Sequence, residues 1–180
     1  MKKMLILMLV LGAVPVASAM QLQIGVDGVL PPSNRTITLA PSGTASLSIY
    51  SPDGYQQGDL DVYFGLVCAP ATGTLTGGTV HIPPAPDGTL MLYDDLSPFF
   101  GNPGVYGQLF SYAVNGTIGT YIDGITFHCE GGTNAVLQLW TTFDFETYNL
   151  ADQTTITQIP EPATMVLLGL GGLLLRKRGK

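Results

Sequence analysis

Basic residues are almost missing from the middle of this chain. Of seven lysines and arginines in 180 residues, six sit at the extreme ends, and Arg35 alone falls between Met20 and Ile159, where twelve of the thirteen acids lie. That middle region carries a formal charge of about −11, which excludes nucleic acid and anionic lipid as its partners, because both need lysine and arginine to neutralise phosphate. Histidine is nearly as scarce. His81 and His128 are the only two, and neither stands in a metal-ligand spacing. No G-x-S-x-G, H-E-x-x-H, Walker A or Cys-x-x-Cys pattern occurs, so nothing announces nucleophilic, metal or phosphate chemistry, and no cofactor is expected. His128 adjoins Cys129, but neighbours on a strand point to opposite faces, so the two do not make a dyad. The middle region also lacks any stretch that keeps a helical period for three turns.

Period two takes its place. Leu22, Ile24 and Val26 alternate with polar or small residues, as do Ile37 and Leu39, and then Ala45, Leu47 and Ile49. Turn-forming groups bound these runs at Pro31-Pro32-Ser33-Asn34, Pro41-Ser42-Gly43 and Pro52-Asp53-Gly54. Further strands are predicted over Asp59 to Cys68, Thr89 to Tyr93, Gly107 to Val114, Gly124 to Glu130, Ala135 to Thr142 and Thr154 to Ile159. Eight or nine strands in roughly 140 residues predict one all-β domain, an antiparallel β-sandwich with Greek-key or jelly-roll connections.

The two ends read as trafficking segments. Met1-Lys2-Lys3 precedes an apolar run from Met4 to Val14, and Ala17-Ser18-Ala19 puts small residues where a signal peptidase cuts, so residues 1–19 are a predicted signal peptide. At the other end, Ile159-Pro160-Glu161-Pro162 leads into the apolar stretch Ala163 to Leu175, closed by Arg176-Lys177-Arg178-Gly179-Lys180. Thirteen residues make a helix of roughly 20 Å, short for a permanent span. The basic cluster should stay cytoplasmic, which puts the Pro-Glu-Pro outside, where its prolines keep the backbone extended. Residues 159–180 resemble the PEP-CTERM sorting signal of Gram-negative bacteria. The resemblance implies recognition in the inner membrane by an exosortase, cleavage near Pro160, Glu161 and Pro162, and delivery of residues 20–158 to the cell surface or extracellular matrix.

Within residues 20–158 the order of features resembles cohesin-like sandwiches: an early amphipathic strand, a Pro-Ser-Gly turn, a long aromatic strand, and a late Asp-Gly-Ile-Thr-Phe strand inside Gly119 to Leu139. Cys68 and Cys129 both fall on the apolar phase of their strands, so both thiols are expected to point inward. In an exported chain they are expected to bridge the two sheets. Aspartates 59, 61, 94, 95 and 144 with Glu146 offer calcium ligands only if two of their loops converge. Trp140 can face either way. Phe99 and Phe100, bracketed by Pro98 and Gly101, are a candidate binding tip or a plug beneath the sandwich. The expectation is a non-catalytic surface or matrix protein, with extracellular polysaccharide as a candidate partner. The alternative is a cohesin-like module that binds carbohydrate or protein.

Overall fold

A computed structural model describes residues 21–32, 35–54, 61–81, 89–110, 118–131 and 133–159. These residues form ten strands: β1 (Gln23–Val26), β2 (Ile37–Leu39), β3 (Thr44–Ser51), β4 (Val62–Cys68), β5 (Gly73–Val80), β6 (Thr89–Tyr93), β7 (Gly104–Phe110), β8 (Gly119–Cys129), β9 (Ala135–Thr142) and β10 (Asn149–Gln158). One helical turn, α1 (Ser97–Phe100), lies between β6 and β7. The strands make a four-stranded sheet, β1-β3-β8-β5, and a six-stranded sheet, β2-β10-β9-β4-β7-β6. Every pairing is antiparallel except that of β2 with β10.

Alternation builds the core as the sequence predicts. Ala45, Leu47 and Ile49 of β3 with Ile125 and Phe127 of β8 face Phe64 and Leu66 of β4, Leu109 of β7, Leu137 and Leu139 of β9, and Ile156 of β10; all are buried in one cluster. Burying a side chain of this kind contributes about 1.5–3 kcal/mol, so two facing rows of them suffice to hold the sheets together.

The strand bounds show where alternation misleads. β6 and β9 fall where predicted. β8 begins five residues before the predicted Gly124, because that glycine has φ 64 and register shifts occur in its pairing with β3, so Tyr121 and Ile122 are both buried in succession. β10 also starts early, at Asn149, with a bulge between Leu150 and Asp152. β5 is absent from the predicted strands altogether. Its Gly-Thr-Leu-Thr-Gly-Gly-Thr-Val reads as turn material, yet it pairs along β8 as an edge strand and sends only Leu75 toward the core.

The bulge in β10 has a consequence for both sheets. It turns Asp152 toward Arg35, whose Nη1 donates to Asp152 Oδ2 at 2.5 Å and whose Nη2 donates to Oδ1 at 3.0 Å. The same two side chains serve the backbone of β1: Ile24 N–H donates to Asp152 Oδ2 at 2.7 Å, and Arg35 Nη1 donates to the Ile24 carbonyl at 2.5 Å. An edge strand of one sheet is thereby closed by an ion pair rooted in the other.

The expected bridge between Cys68 and Cys129 is not formed. Both cysteines point inward and are buried, on opposite sheets as expected, but each is a free thiol. The Cys68 thiol instead donates to the Pro70 carbonyl at 3.1 Å, and Cys129 packs as a small apolar residue in the core cluster.

Both features can be checked in solution. Denaturing the purified protein without reductant should expose two thiols to a colorimetric thiol reagent; none would mean that the bridge forms. Replacing Asp152 by alanine strips the acceptor from both Arg35 and the Ile24 amide, and we expect a loss of about 3 kcal/mol in urea unfolding with an unchanged slope. A loss below about 1 kcal/mol would put the pair in the class of surface ion pairs.

Candidate functional site

The chain's last described strand leads straight into the predicted sorting segment. Gln158 N–H donates to Asn134 Oδ1 at 3.3 Å, its Nε2 donates to the Thr72 carbonyl at 3.0 Å, and Ile159 N–H donates to the Leu39 carbonyl at 3.0 Å. Folded structure therefore continues to the residue before Pro160. Pro160, Glu161, Pro162, Arg176, Lys177 and Arg178, like Ala17 and Ala19 at the other end, lie outside the described residues, as do the predicted signal peptide and membrane span. Among the described residues no helix is long and apolar enough to cross a membrane.

A second feature lies on the outer face of the six-stranded sheet, built by α1 and the β9–β10 turn. Asp95 Oδ1 accepts the Ser97 amide at 2.7 Å, Pro98 stands in the first turn, and Gly101 ends it in the left-handed conformation (φ 80) with its N–H on the Ser97 carbonyl. Phe99 and Phe100 are consecutive on this turn and so diverge. Phe100 lies flat over Gly65, where any Cβ would come within 2.7 Å of the ring, and packs on Tyr106 and Tyr148 with centroids 5.6 Å away in each case. Phe99 remains 50% exposed, its ring 4.6 Å from that of Phe145. The two rings thus diverge: Phe100 packs, partly buried, over the outer face of the sheet, and Phe99 is exposed.

Phe145 was not among the predicted site residues. Its ring sits 4.4 Å from Tyr63 and bridges it to Phe99, and its backbone is left-handed at φ 58, a region phenylalanine rarely occupies. Side chains impose that geometry: Thr142 Oγ1 accepts the Phe145 amide at 3.0 Å, and Asp144 Oδ1 accepts those of Glu146 and Thr147, each at 2.9 Å. The local signal in sequence is Thr142 followed by Asp144, a hydroxyl and a carboxylate in alternate positions, which is turn chemistry. These amides, Thr147 first and then Glu146, hold the Asp144 carboxyl below its ordinary value, as Ser97 does for Asp95. Beneath Phe100, burial and then the Asp95 charge push the Tyr106 phenol up to about 12, and its hydroxyl donates to the Asn102 carbonyl.

The remaining candidates stay apart. No group of three histidines, cysteines, aspartates or glutamates able to hold a metal occurs among the described residues, and Asp59 lies outside them. His81 Nε2 lies 2.8 Å from Asp123 Oδ1, with both side chains half exposed. His128 is on the outer face and Cys129 in the core. Trp140 takes the outer face, and its indole N–H donates to Gln138 Oε1 at 3.2 Å. A cleft of about 410 Å³ opens between the sheets beside Leu75, Gly77, Leu92 and Tyr93, with Asp94 as the one carboxylate in its lining.

The exposed Ile159, held by Leu39, marks the boundary at which the sequence stops resembling a sandwich. Residues 158–178 match the PEP-CTERM protein-sorting motif. That motif implies an exosortase as processing partner and export to the cell surface as outcome. No curated protein is significantly similar to the chain. Its fold is similar to solved cohesin modules. The cohesin module of a Clostridium perfringens family 33 glycoside hydrolase aligns at 6% identity and TM-score 0.45, over 79% of this chain and 100% of that one. The seventh ScaB type I cohesin of Pseudobacteroides cellulosolvens aligns at 12% and 0.46, over 78% and 94%. The sixth cohesin of Acetivibrio cellulolyticus scaffoldin B, solved with a Cel5 dockerin, aligns at 11% and 0.43, over 77% and 99%.

The Asp144 turn gives the sandwich a pH signature. Because its carboxyl is depressed in the fold, its contribution is present above the unfolded value of 3.8 and is lost as pH falls through the folded value. Hydrogen-exchange protection of the Glu146 and Thr147 amides should therefore drop on acidification below pH 3.8, and Asp144→Asn should flatten that response. Protection in the wild type that ignores acid would remove Asp144 as the cause.

Proposed function

We propose that this protein is an exported, non-catalytic surface or matrix component whose β-sandwich is released from its C-terminal segment by an exosortase. Residues 1–19 direct export and are removed by signal peptidase, residues 20–158 are the displayed domain, and residues 159–180 hold the precursor in the inner membrane until processing. The observation that carries this reading is the motif match at 158–178, which begins where β10 ends. Each part of the segment suits that role. The prolines flanking Glu161 resist helix, a short apolar run gives a transient stop, and Arg176 to Lys180 fixes orientation.

A second reading, a module that binds carbohydrate or a protein, is favoured by one observation. Phe99 stands half exposed on a surface supported by a strained backbone at Phe145. Strain of that kind costs on the order of 1–3 kcal/mol and persists where surrounding structure enforces it, commonly at binding surfaces. The two readings are compatible, since display brings the domain to its ligand.

Intact mass and cell fractionation of the protein from its host, beside a Glu161→Ala variant, test the first reading. Wild type should lack the residues beyond the Pro-Glu-Pro and reach the surface or medium, while the variant stays full length in the membrane. If both stay full length in the inner membrane, the segment is a plain anchor and the sorting proposal fails.

A further inference from the structure

The aromatic surface and the chain's charge point to the same ligand chemistry. Tyr63, Phe145 and Phe99 form a continuous row of rings at 4.4 and 4.6 Å spacing, and Phe143, two residues before Phe145 in sequence, is 37% exposed. Acids flank the row in sequence on both supporting loops: Asp94 and Asp95 precede α1, and Asp144 and Glu146 bracket Phe145. All four are exposed. No described lysine or arginine stands free to neutralise them, because Arg35 is the only one and its charge is committed to Asp152.

We propose that the Tyr63–Phe145–Phe99 surface binds a polysaccharide that bears free amines. This deepens, and rests on, the binding reading above. A pyranose ring has an apolar face that packs on an exposed aromatic ring, and an ammonium substituent is drawn both to the face of an aromatic ring and to nearby carboxylates. Asp95 and Asp144 already accept backbone amides, yet they keep their negative charge, and a neutral sugar would use the ring and leave that charge uncompensated. An anionic polymer would be repelled by the acids.

A basic peptide shares the charge but suits the shape less well. Peptides bind to grooves or to free strand edges, whereas this surface rises over the interior strands of the six-stranded sheet, with Tyr63 on β4 and Phe145 between β9 and β10. The inter-sheet cleft, which is concave, is lined instead by Leu75, Gly77, Leu92 and Tyr93, and none of the three rings belongs to it.

Calorimetric titration of the detergent-solubilised full chain at about pH 5.5, above the carboxylate range and below the amine range, separates the possibilities. The probes are a glucosamine hexasaccharide, its N-acetylated counterpart, cellohexaose and hexalysine. The glucosamine oligomer should bind best, weaken as salt rises, and lose about tenfold in affinity with Phe99→Ala but not with Phe99→Tyr. Equal binding of cellohexaose would overturn the amine preference while leaving the binding reading intact. Stronger binding of hexalysine would assign the surface to a basic protein, and Phe99→Ala without effect would reduce the interaction to net charge; either result overturns the proposal. Binding of none of the probes overturns this inference. Phe99 is half exposed, so its truncation leaves the core untouched.

Discussion

Arg35 and Asp152 meet between strands of different sheets, and much of the sandwich is arranged around their contact. Their side chains are only 13% and 15% exposed, so the pair loses most of the hydration that two free ions would keep. Coulombic attraction alone seldom offsets that loss. The larger gain is in the backbone it satisfies: both hydrogen-bonding groups of Ile24, on an edge strand with no further neighbour, are bonded by these side chains. The guanidinium also donates to the Gln153 carbonyl at 3.2 Å, next to the bulge that aims Asp152 inward. One interaction thus closes an edge, stabilises an irregular strand and ties one sheet to the other. It also takes up the region's single basic residue, which leaves the outer surface acidic.

Much of this was legible in the sequence because a sandwich writes its core in period two. β3 could be read directly, its alternation turned inward without a break, whereas β4 and β9 were found as strands although β4 is buried on both phases from Phe64 to Cys68 and the inward face of β9 was left open. Legibility failed where backbone rather than side chains set the geometry. β5 holds its place through pairing to β8, with one apolar anchor and three glycines, and no periodicity records a hydrogen-bond ladder. Gly124 and the β10 bulge each break the alternation, so the flanking residues look like loop although they are strand. The cysteines expose a different limit. Phase along a strand says which face a thiol takes, but not whether two inward thiols align or one turns aside to a carbonyl, as Cys68 does.

The aromatic surface shows the same division between local and long-range information. Phe99 and Phe100 are equivalent by letter and neighbours by position. On a helical turn, successive side chains diverge by about 100°, so one can lie over the sheet only if the other points away. Which of them does so is decided by Gly65, a residue far back in the chain whose missing side chain makes room for the Phe100 ring. Phe145 was harder still to find, because its position depends on a left-handed backbone set by Thr142 and Asp144. The visible cue was turn chemistry, which marks a bend without saying that an aromatic ring will be carried on it.

Fold and sorting segment meet with very little chain between them. β10 is flanked by β9 and β2, and Ile159 is bonded to Leu39, so the sandwich is secured to its final residue. Only Pro160, Glu161 and Pro162 separate it from the apolar run that starts at Ala163, a reach of about 10 Å when fully extended. On the proposed function, an exosortase must then work against the base of a folded domain. Proline suits that constraint by chemistry alone, because it supplies no N–H to a helix or a ladder and so gives the sequence after Ile159 little reason to extend β10. The acidic surface suits it as well. If the precursor is held at a membrane as proposed, a domain of this net charge would be repelled by any anionic headgroups on its own side.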